Sequence, residues 1–187
     1  MSDLEKALEL FPPRIVVLVS TIDKEGVENV APHAEFVNLY VDDLMMIIVD
    51  DTHDTYKNIM QTKEFVIGLP TLKIAKEVAI TGKSFSKEIY EFKESNLTPL
   101  KAQKVRAPLI KECMANFECI LESHYLDKNC RGIIIGKIIA FNYDKKLIKE
   151  SAIKTRLESN ALLHISKGKI YTNMNKEIVD VGFNYKD

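Results

Sequence analysis

The stretch that decides the fold is PPRIVVLVSTIDKEGVENVAPHAEF, residues 12–36. Residues 14–22 are β-branched and apolar, which is the pattern of a buried strand. DKEG then forms a turn in which Gly26 can take a positive φ, and the chain returns through residues 27–33. Because strand, tight turn and strand follow one another without a helix, the stretch predicts an antiparallel hairpin.

The same alternation of strands and short connections continues along the chain. AEFVNLYV, residues 34–41, alternates apolar and polar side chains and predicts a third strand. LMMIIV, residues 44–49, predicts a fourth, buried strand. A helix is expected from about residue 54 to 62, followed by a strand in EFVIGLP, residues 64–70.

The second half is less regular. Residues 71–96 have helical periodicity at first, a break at Thr81–Gly82 and a charged helical or irregular stretch after it. Residues 97–110 resemble a loop, whereas 115–126 and 131–144 predict two long strands. The last forty residues are mixed, and we expect them to wrap the surface.

Sequential hairpins therefore dominate the predicted structure. They favour a mainly β fold, an antiparallel barrel with peripheral helices, over a parallel α/β sheet. The chain contains neither GxGxxG nor a P-loop, so a Rossmann-type nucleotide site is not predicted.

Composition excludes several classes of function. The 26 basic and 27 acidic residues nearly cancel, so neither a nucleic-acid groove nor an anionic membrane surface is predicted. The apolar runs are too short to span a bilayer, and the acidic N-terminus lacks the features of a signal peptide. The 3 cysteines form no CxxC pair and the 4 histidines are scattered, so no metal site is expected. We expect a cytoplasmic protein.

DDTHDT, residues 50–55, is longer and more polar than a turn between strand and helix requires. One explanation is capping, with Thr52 or Asp54 as the N-cap, which contributes about 1 kcal/mol. The other is a phosphate held by free N–H groups, the threonine hydroxyls, His53 and Lys57. The aspartates oppose the second explanation unless they point away, and the segment alone leaves both open.

NVAPHAEF, residues 29–36, is the second unusual stretch. Its small residues let a flat ligand approach the backbone, and Pro32 interrupts strand pairing and frees peptide groups for other partners. A β-bulge that contains a proline explains the same residues equally well.

Taken together and in this order, these stretches resemble the flavin reductase-like family, which has an FMN-binding split-barrel fold of antiparallel Greek-key type. The resemblance rests on several motifs. They are Asn–x–Ala–Pro in residues 29–32, HDTYKNI in 53–59, EFVIGLP in 64–70, Thr81–Gly82, Leu–Thr–Pro in 97–99, Ala–Pro–x–Ile in 107–110, Glu118–Cys119 and IIIGKII in 133–139. It covers about residues 12–143.

The resemblance implies one split-barrel domain over residues 1–187, in which 144–187 wrap the barrel or contact a partner chain. It implies FMN as cofactor, rather than FAD, and a homodimer with the flavin in the subunit cleft.

The resemblance also implies a role for each of several residues. Residues Pro32, His33, Ala34, Glu35 and Phe36 would line the isoalloxazine ring. Thr52, His53, Thr55 and Asn58 would hold the phosphate, with Lys57 as a charge partner. Thr81, Gly82, Lys83 and Ser84 would border the cofactor on its far side.

Two positions depart from the family pattern. Many relatives have Ser or Thr where this chain has Ala34, and the family's Asp–Lys–Phe is replaced by Tyr90–Glu91–Phe92, which inverts a charge. We assign no catalytic acid or base, because hydride transfer to flavin requires none. His33 is the only candidate for tuning the ring, and the alternative is an ordinary surface histidine.

The function implied is that of an NAD(P)H-dependent flavin reductase, which passes electrons from a nicotinamide to flavin and on to an acceptor. The alternatives are a flavoredoxin-type electron carrier with a redox-protein partner, and a ferric-complex reductase that uses bound FMN. A haem-binding barrel is disfavoured, since no histidine has a distinctive axial-ligand setting. The donor could be NADH, NADPH, a deazaflavin or a ferredoxin, and the sequence does not choose among them.

Overall fold

The computed structural model of the chain describes residues 2–39, 42–85, 89–166, 170–172 and 178–180. The helices are α1 Asp3–Leu8, α2 Asp54–Thr62, α3 Ala75–Thr81, α4 Glu91–Glu94 and α5 Ala152–Glu158, with 3-10 turns at Leu72–Ile74 and Lys145–Leu147. The strands are β1 Arg14–Ile15, β2 Val17–Ile22, β3 Glu28–His33, β4 Phe36–Leu39, β5 Leu44–Asp50, β6 Glu64–Leu69, β7 Pro99–Leu100, β8 Leu109–Ile110, β9 Ala115–Leu126, β10 Arg131–Tyr143, β11 Leu163–Ser166, β12 Ile170–Thr172 and β13 Ile178–Asp180.

The main sheet has seven strands in the order β3-β2-β6-β9-β10-β5-β4, and every pairing is antiparallel. Strands β3 and β4 stand at opposite ends of this order, yet only residues 34 and 35 separate them along the chain. Such a connection spans at most roughly 11 Å. The two ends of the sheet therefore meet there, and the sheet curls into a barrel. The predicted mainly β, antiparallel barrel is confirmed.

The hairpin predicted for residues 14–33 forms as expected. Strands β2 and β3 pair from Val17 opposite His33 to Ile22 opposite Glu28. Gly26, in the turn, has a φ of 92°. The expected helix after the fourth strand is α2, whereas the predicted third strand is shorter, and residues 40–41 lie outside the described part. The predicted loop over 97–110 contains the short pair β7–β8.

Two apolar layers follow from the alternation of side chains along β2. Val17 and Val19 lie in the barrel interior together with Phe65. Leu18, and Val16 just before the strand, point to the other face, where α3 and α4 cover them. This second layer holds α3 and α4 against the outside of β2 and β3. The residues just after α3 and at the start of α4 therefore lie close to β3.

The two glycines of β10 make room for aromatic rings. A Cβ at Gly136 would collide with the ring of Phe65, and one at Gly132 with the ring of Tyr56. Any other residue at these positions would push the strand away from the packed interior. The glycines of this apolar strand are therefore explained by packing.

The described part of the C-terminal segment forms a second sheet with the N-terminal strand, in the order β1-β11-β12-β13. Leu162 is fully buried in the layer beneath α3 and α4. That residues 144–187 wrap the barrel or contact a partner chain stays a prediction. Among the described residues, none of the helices has the length and apolar character needed to cross a membrane.

Candidate functional site

A cavity of about 590 Å³ opens where β3 and β5 end and α2 begins. The predicted site residues on its wall are Pro32, His33, Glu35, Thr52, His53, Thr55, Thr81, Gly82, Lys83 and Ser84. The wall is completed by Asn29, Ala31, Ile48, Val49, Asp50, Asp54, Phe85, Glu91 and Arg131. The fold thus brings the two unusual sequence stretches, 29–36 and 50–55, to one place.

The start of α2 forms one wall of this cavity. Its N-cap is His53, with φ −73° and ψ 146°, and the His53 side chain makes no capping hydrogen bond. The expectation that Thr52 or Asp54 caps the helix was wrong, because the Thr52 hydroxyl donates to Asp50 instead. The N–H groups of the first helical turn have no partner within the helix, so this wall presents hydrogen-bond donors.

The surplus of aspartates in this corner has a structural explanation. Asp50 accepts hydrogen bonds from the Thr52 N–H at 2.9 Å and the Thr52 hydroxyl at 2.6 Å, which lower the pKa of Asp50. The Asp51 N–H donates to the carbonyl of Cys130 at 2.9 Å, and Asp51 lies outside the cavity lining. Asp54 Oδ1 lies 3.8 Å from Lys57 Nζ. The carboxylate of Asp50 therefore shapes the turn and that of Asp54 compensates a neighbouring charge, whereas the bond of Asp51 is made by its backbone.

His33 is the buried imidazole of the site. It lies at the end of β3, is 8% exposed, and its Nε2 has no hydrogen-bond partner among the described residues. Burial, and then the charge of His53, lower the pKa of His33 to about 4. The ring is therefore neutral at physiological pH, and a ligand in the cavity can supply the missing partner.

Three polar side chains meet where β3 and α4 approach the start of α2. The Asn29 amide nitrogen lies 3.4 Å from the Thr55 hydroxyl oxygen. Glu91 Oε2 accepts from the backbone N–H of Val30 at 2.8 Å. Burial first, and then the negative charge of Asp54, raise the pKa of Glu91 to about 7, even though the bond from Val30 opposes the shift. Glu91 is thus a carboxyl group that titrates near neutrality.

Several predicted site residues lie outside the lining. Lys57 is exposed on α2 beside Asp54. The prediction that Lys57 faces the cavity was therefore wrong. Asn58, one turn into the helix, is buried and donates to the Thr21 hydroxyl at 3.1 Å. Ala34 and Phe36 line an adjoining groove of about 280 Å³ instead.

Sequence reasoning missed Glu91 and Arg131. Both reach the cavity from elements remote in sequence, α4 and β10, and Arg131 stands opposite Asp50 in the β10–β5 register. The inverted charge at Glu91 was the one available signal. Among the described residues there is no cluster of His, Cys, Asp or Glu arranged to hold a metal ion.

Comparisons with known proteins agree with the fold. The flavin reductase like domain matches residues 12–168. An uncharacterised protein of Aquifex aeolicus is 36% identical over 151 residues, which is 77% of this chain and 76% of that protein. This chain belongs to the family of proteins with a flavin reductase like domain, a family of flavin-related oxidoreductases.

Solved structures define the barrel type. A protein of Shewanella frigidimarina NCIMB 400, described as a flavin reductase with a split barrel domain, superposes with a TM-score of 0.80 at 21% identity, over 92% of this chain and 89% of that one. The flavoredoxin of Desulfovibrio vulgaris (Miyazaki F) superposes with a TM-score of 0.72 at 18% identity, over 94% and 90%. The fold is a split barrel, as the resemblance implied.

Proposed function

We propose that this protein binds FMN in the 590 Å³ cavity and transfers electrons from NADH or NADPH to an acceptor. The observation that carries the proposal is that one cavity unites the donors at the start of α2 with the buried His33 Nε2, which has no partner in the described part of the chain. Family membership supports a flavin as the ligand.

The residues present fit FMN. The cavity volume falls within the roughly 300–1,000 Å³ typical of small-molecule sites. A helix N-terminus suits a phosphate, because its open N–H groups and the helix dipole both favour an anion. Arg131 and Lys83 add positive charge to the lining, which partly offsets its carboxylates.

We assign the phosphate to the start of α2, near Thr52, His53 and Thr55, and the ring to the end of β3, near Pro32 and His33. Bound FMN supplies the chemistry of hydride acceptance and electron release, and the chain supplies binding and orientation. The neutral His33 can hydrogen-bond a ring atom through Nε2 without adding charge. The small residues Ala31 and Gly82 leave space for a flat ring system.

We also propose a homodimer. An apolar stripe on the outer face of β10, formed by Ile139, Phe141 and Tyr143, is 38%, 59% and 45% exposed in the single chain. The rings of Phe141 and Tyr143 stack with centroids 6.3 Å apart. Exposed apolar stripes of this kind mark interaction surfaces, and a second copy of the chain would cover it.

The test begins with FMN binding by the purified protein, followed by quenching of flavin fluorescence, with FAD as a competitor. NADH or NADPH is then added without oxygen, and the visible flavin absorbance is recorded. Loss of absorbance supports the proposed reductase. Failure of both nicotinamides, combined with reduction by a ferredoxin-type donor, identifies an electron carrier instead. A protein that binds no FMN overturns the proposal.

A further inference from the structure

The arrangement of Glu91, Asn29 and Thr55 has a consequence for ligand binding. The Asn29 side chain lies between the other two, and all three line the cavity. Thr55 belongs to the first turn of α2, where we place the phosphate, and its side chain is 2% exposed. Among the described contacts, Glu91 makes no direct hydrogen bond to Thr55, and the Asn29 amide is the group that links the two.

The Asn29 amide has two orientations, and each suits one protonation state of Glu91. When Glu91 is ionised, the amide nitrogen turned toward Glu91 donates to Oε2 at 3.2 Å, and the amide oxygen accepts from the Val30 N–H at 3.1 Å. The amide oxygen then faces the Thr55 hydroxyl and accepts a hydrogen bond from it.

A protonated Glu91 compensates the opposite orientation, in which the amide nitrogen lies 3.1 Å from the Val30 nitrogen, another donor. The Glu91 O–H donates to the Asn29 amide oxygen, and the amide nitrogen donates to the Thr55 hydroxyl oxygen at 3.4 Å. The Thr55 hydroxyl accepts this bond and keeps its own proton for a different acceptor. A ligand oxygen at the start of α2 is such an acceptor.

We propose that Glu91 is a positioning residue for phosphate-bearing ligands: a proton held on its carboxyl group orients Asn29 so that the Thr55 hydroxyl donates to the phosphate. This inference rests on the proposed function, because it takes the phosphate of FMN to lie at the start of α2. FMN binding then takes up a proton from water at Glu91.

Charge repulsion from a bound phosphate also favours the protonated form of Glu91. A phosphate ester has a second pKa of about 6 and is a dianion above neutral pH, where it repels an ionised Glu91 and favours the protonated form. Asp54 adds its negative charge from α2. The other titratable and charged groups on the elements around Glu91 are Glu28 and His33 on β3, His53 and Lys57 at α2, Lys76 and Glu77 on α3, Lys83 after α3, and Tyr90, Lys93 and Glu94 at α4.

The experiment measures the dissociation constant of FMN between pH 6.5 and 8.5 by fluorescence quenching. In the wild type, the constant should rise about tenfold from pH 7 to pH 8.5, because the free protein loses a proton that the complex retains. Glu91→Gln imitates the protonated carboxyl group, so its affinity should stay within about twofold across this range. Glu94→Gln, an exposed substitution on the same helix, should keep the wild-type slope.

Two further measurements separate positioning from a merely structural role. Calorimetric titration of the wild type with FMN, in two buffers of different ionisation enthalpy, should report uptake of about half a proton or more at pH 7.5. Thr55→Val should bind more weakly and with a flatter pH profile, because the hydroxyl that carries the effect is absent. A structural defect would instead weaken binding equally at every pH.

A wild-type affinity that does not change with pH, or a Glu91→Gln variant that keeps the wild-type slope, would overturn this proposal while leaving FMN binding in place. If FMN fails to bind at any pH, the proposed function fails, and this inference with it.

Discussion

Thr55 is almost fully buried and yet lines the cavity, so its hydroxyl serves an internal partner and a ligand together. We expect Thr55→Val, which keeps the shape but removes the hydroxyl, to weaken FMN binding by at least tenfold, or about 1.4 kcal/mol, because one buried hydrogen bond to the phosphate is lost. The measurement is the dissociation constant from fluorescence quenching.

Two controls accompany this substitution. Thr55→Ser retains the hydroxyl and should bind FMN within about threefold of the wild type. Thr62→Val removes a hydroxyl at the other end of α2, where it bonds to the Asn58 carbonyl, and should leave FMN affinity unchanged. Unchanged affinity in Thr55→Val would mean that the phosphate lies elsewhere.

The burial of His33 determines how the stability of the protein should respond to acid. Because burial lowers the pKa of His33 to about 4, the unfolded chain binds a proton near pH 6.5 that the folded protein does not. The contribution of His33 to the free energy of unfolding is therefore complete above about pH 6.5 and declines as the pH falls toward 4. His33→Gln cannot titrate and should lose less stability over this interval.

The comparison is the change in melting temperature between pH 7 and pH 4.5 for wild type and variant, without added flavin. His124→Gln removes an exposed histidine from β9 and is the matched control, which should follow the wild type. Because other groups also titrate in acid, the informative quantity is the difference between wild type and His33→Gln in this change of melting temperature. If His33→Gln loses as much stability as the wild type, His33 is not buried and neutral as described.

Sequence reasoning placed some site residues and not others for a physical reason. His33 and Thr55 stand in contiguous stretches whose small and polar residues exceed the needs of a turn, so each stretch carries its own signal. Glu91 and Arg131 reach the cavity through the packing of α4 on β3 and the pairing of β10 with β5. That proximity depends on strand order, which a single sequence does not encode locally.

The segment before β8, which resembled an unstructured loop in the sequence, is fixed by one buried side chain of β9. Glu118 is 1% exposed, and its carboxylate accepts hydrogen bonds from the backbone N–H groups of Gln103 at 3.1 Å, Lys104 at 2.6 Å and Val105 at 3.3 Å. Three donors around one carboxylate hold this segment against the barrel.

We expect Glu118→Gln to lower the free energy of unfolding by about 2 kcal/mol, because the amide group turns a donor toward backbone donors. For a chain of this length, the melting temperature should fall by roughly 2–4 °C per kcal/mol. Trypsin should also cleave faster after Lys104. Glu122→Gln, an exposed change on the same strand, is the control, and a variant as resistant as the wild type would contradict the anchoring role.

Among the elements, the hairpin β2–β3, the strand β5 with its helix α2 and the two long strands β9 and β10 were predictable, because periodicity and turn residues act locally. The order of strands in the sheet was not, since β6 pairs with β2 and β9, and β10 pairs with β5 across a long stretch of chain. The family resemblance gave the barrel type, and the order itself was not predicted.

The closure of the barrel links the fold to the site. The two ends of the sheet meet at residues 34–35, and Glu35 there lines the cavity as well as the neighbouring groove. Arg14 of β1 forms an ion pair with Glu35 at 2.5 Å, which joins the second sheet to this junction. The cavity therefore opens at the seam of the barrel, where strand pairing ends and backbone groups become available to a ligand.

The outer face of β10 should govern assembly. Burial of an apolar stripe contributes roughly 25 cal/mol per Å² removed from water, so a charge placed at its centre opposes association. We expect the wild type to sediment as a dimer at micromolar concentration and Phe141→Asp to sediment as a monomer. Phe11→Asp replaces the same residue type on the N-terminal segment, where Phe11 is 71% exposed, and should leave the dimer intact.

The same variants test whether the cavity requires the partner. If the flavin lies in the subunit cleft, monomeric Phe141→Asp should bind FMN at least tenfold more weakly than the wild type while keeping its melting temperature within a few degrees, because contacts from the second chain are lost. A monomer with full FMN affinity would show that one chain completes the site. A wild type that sediments as a monomer would contradict the proposed homodimer itself.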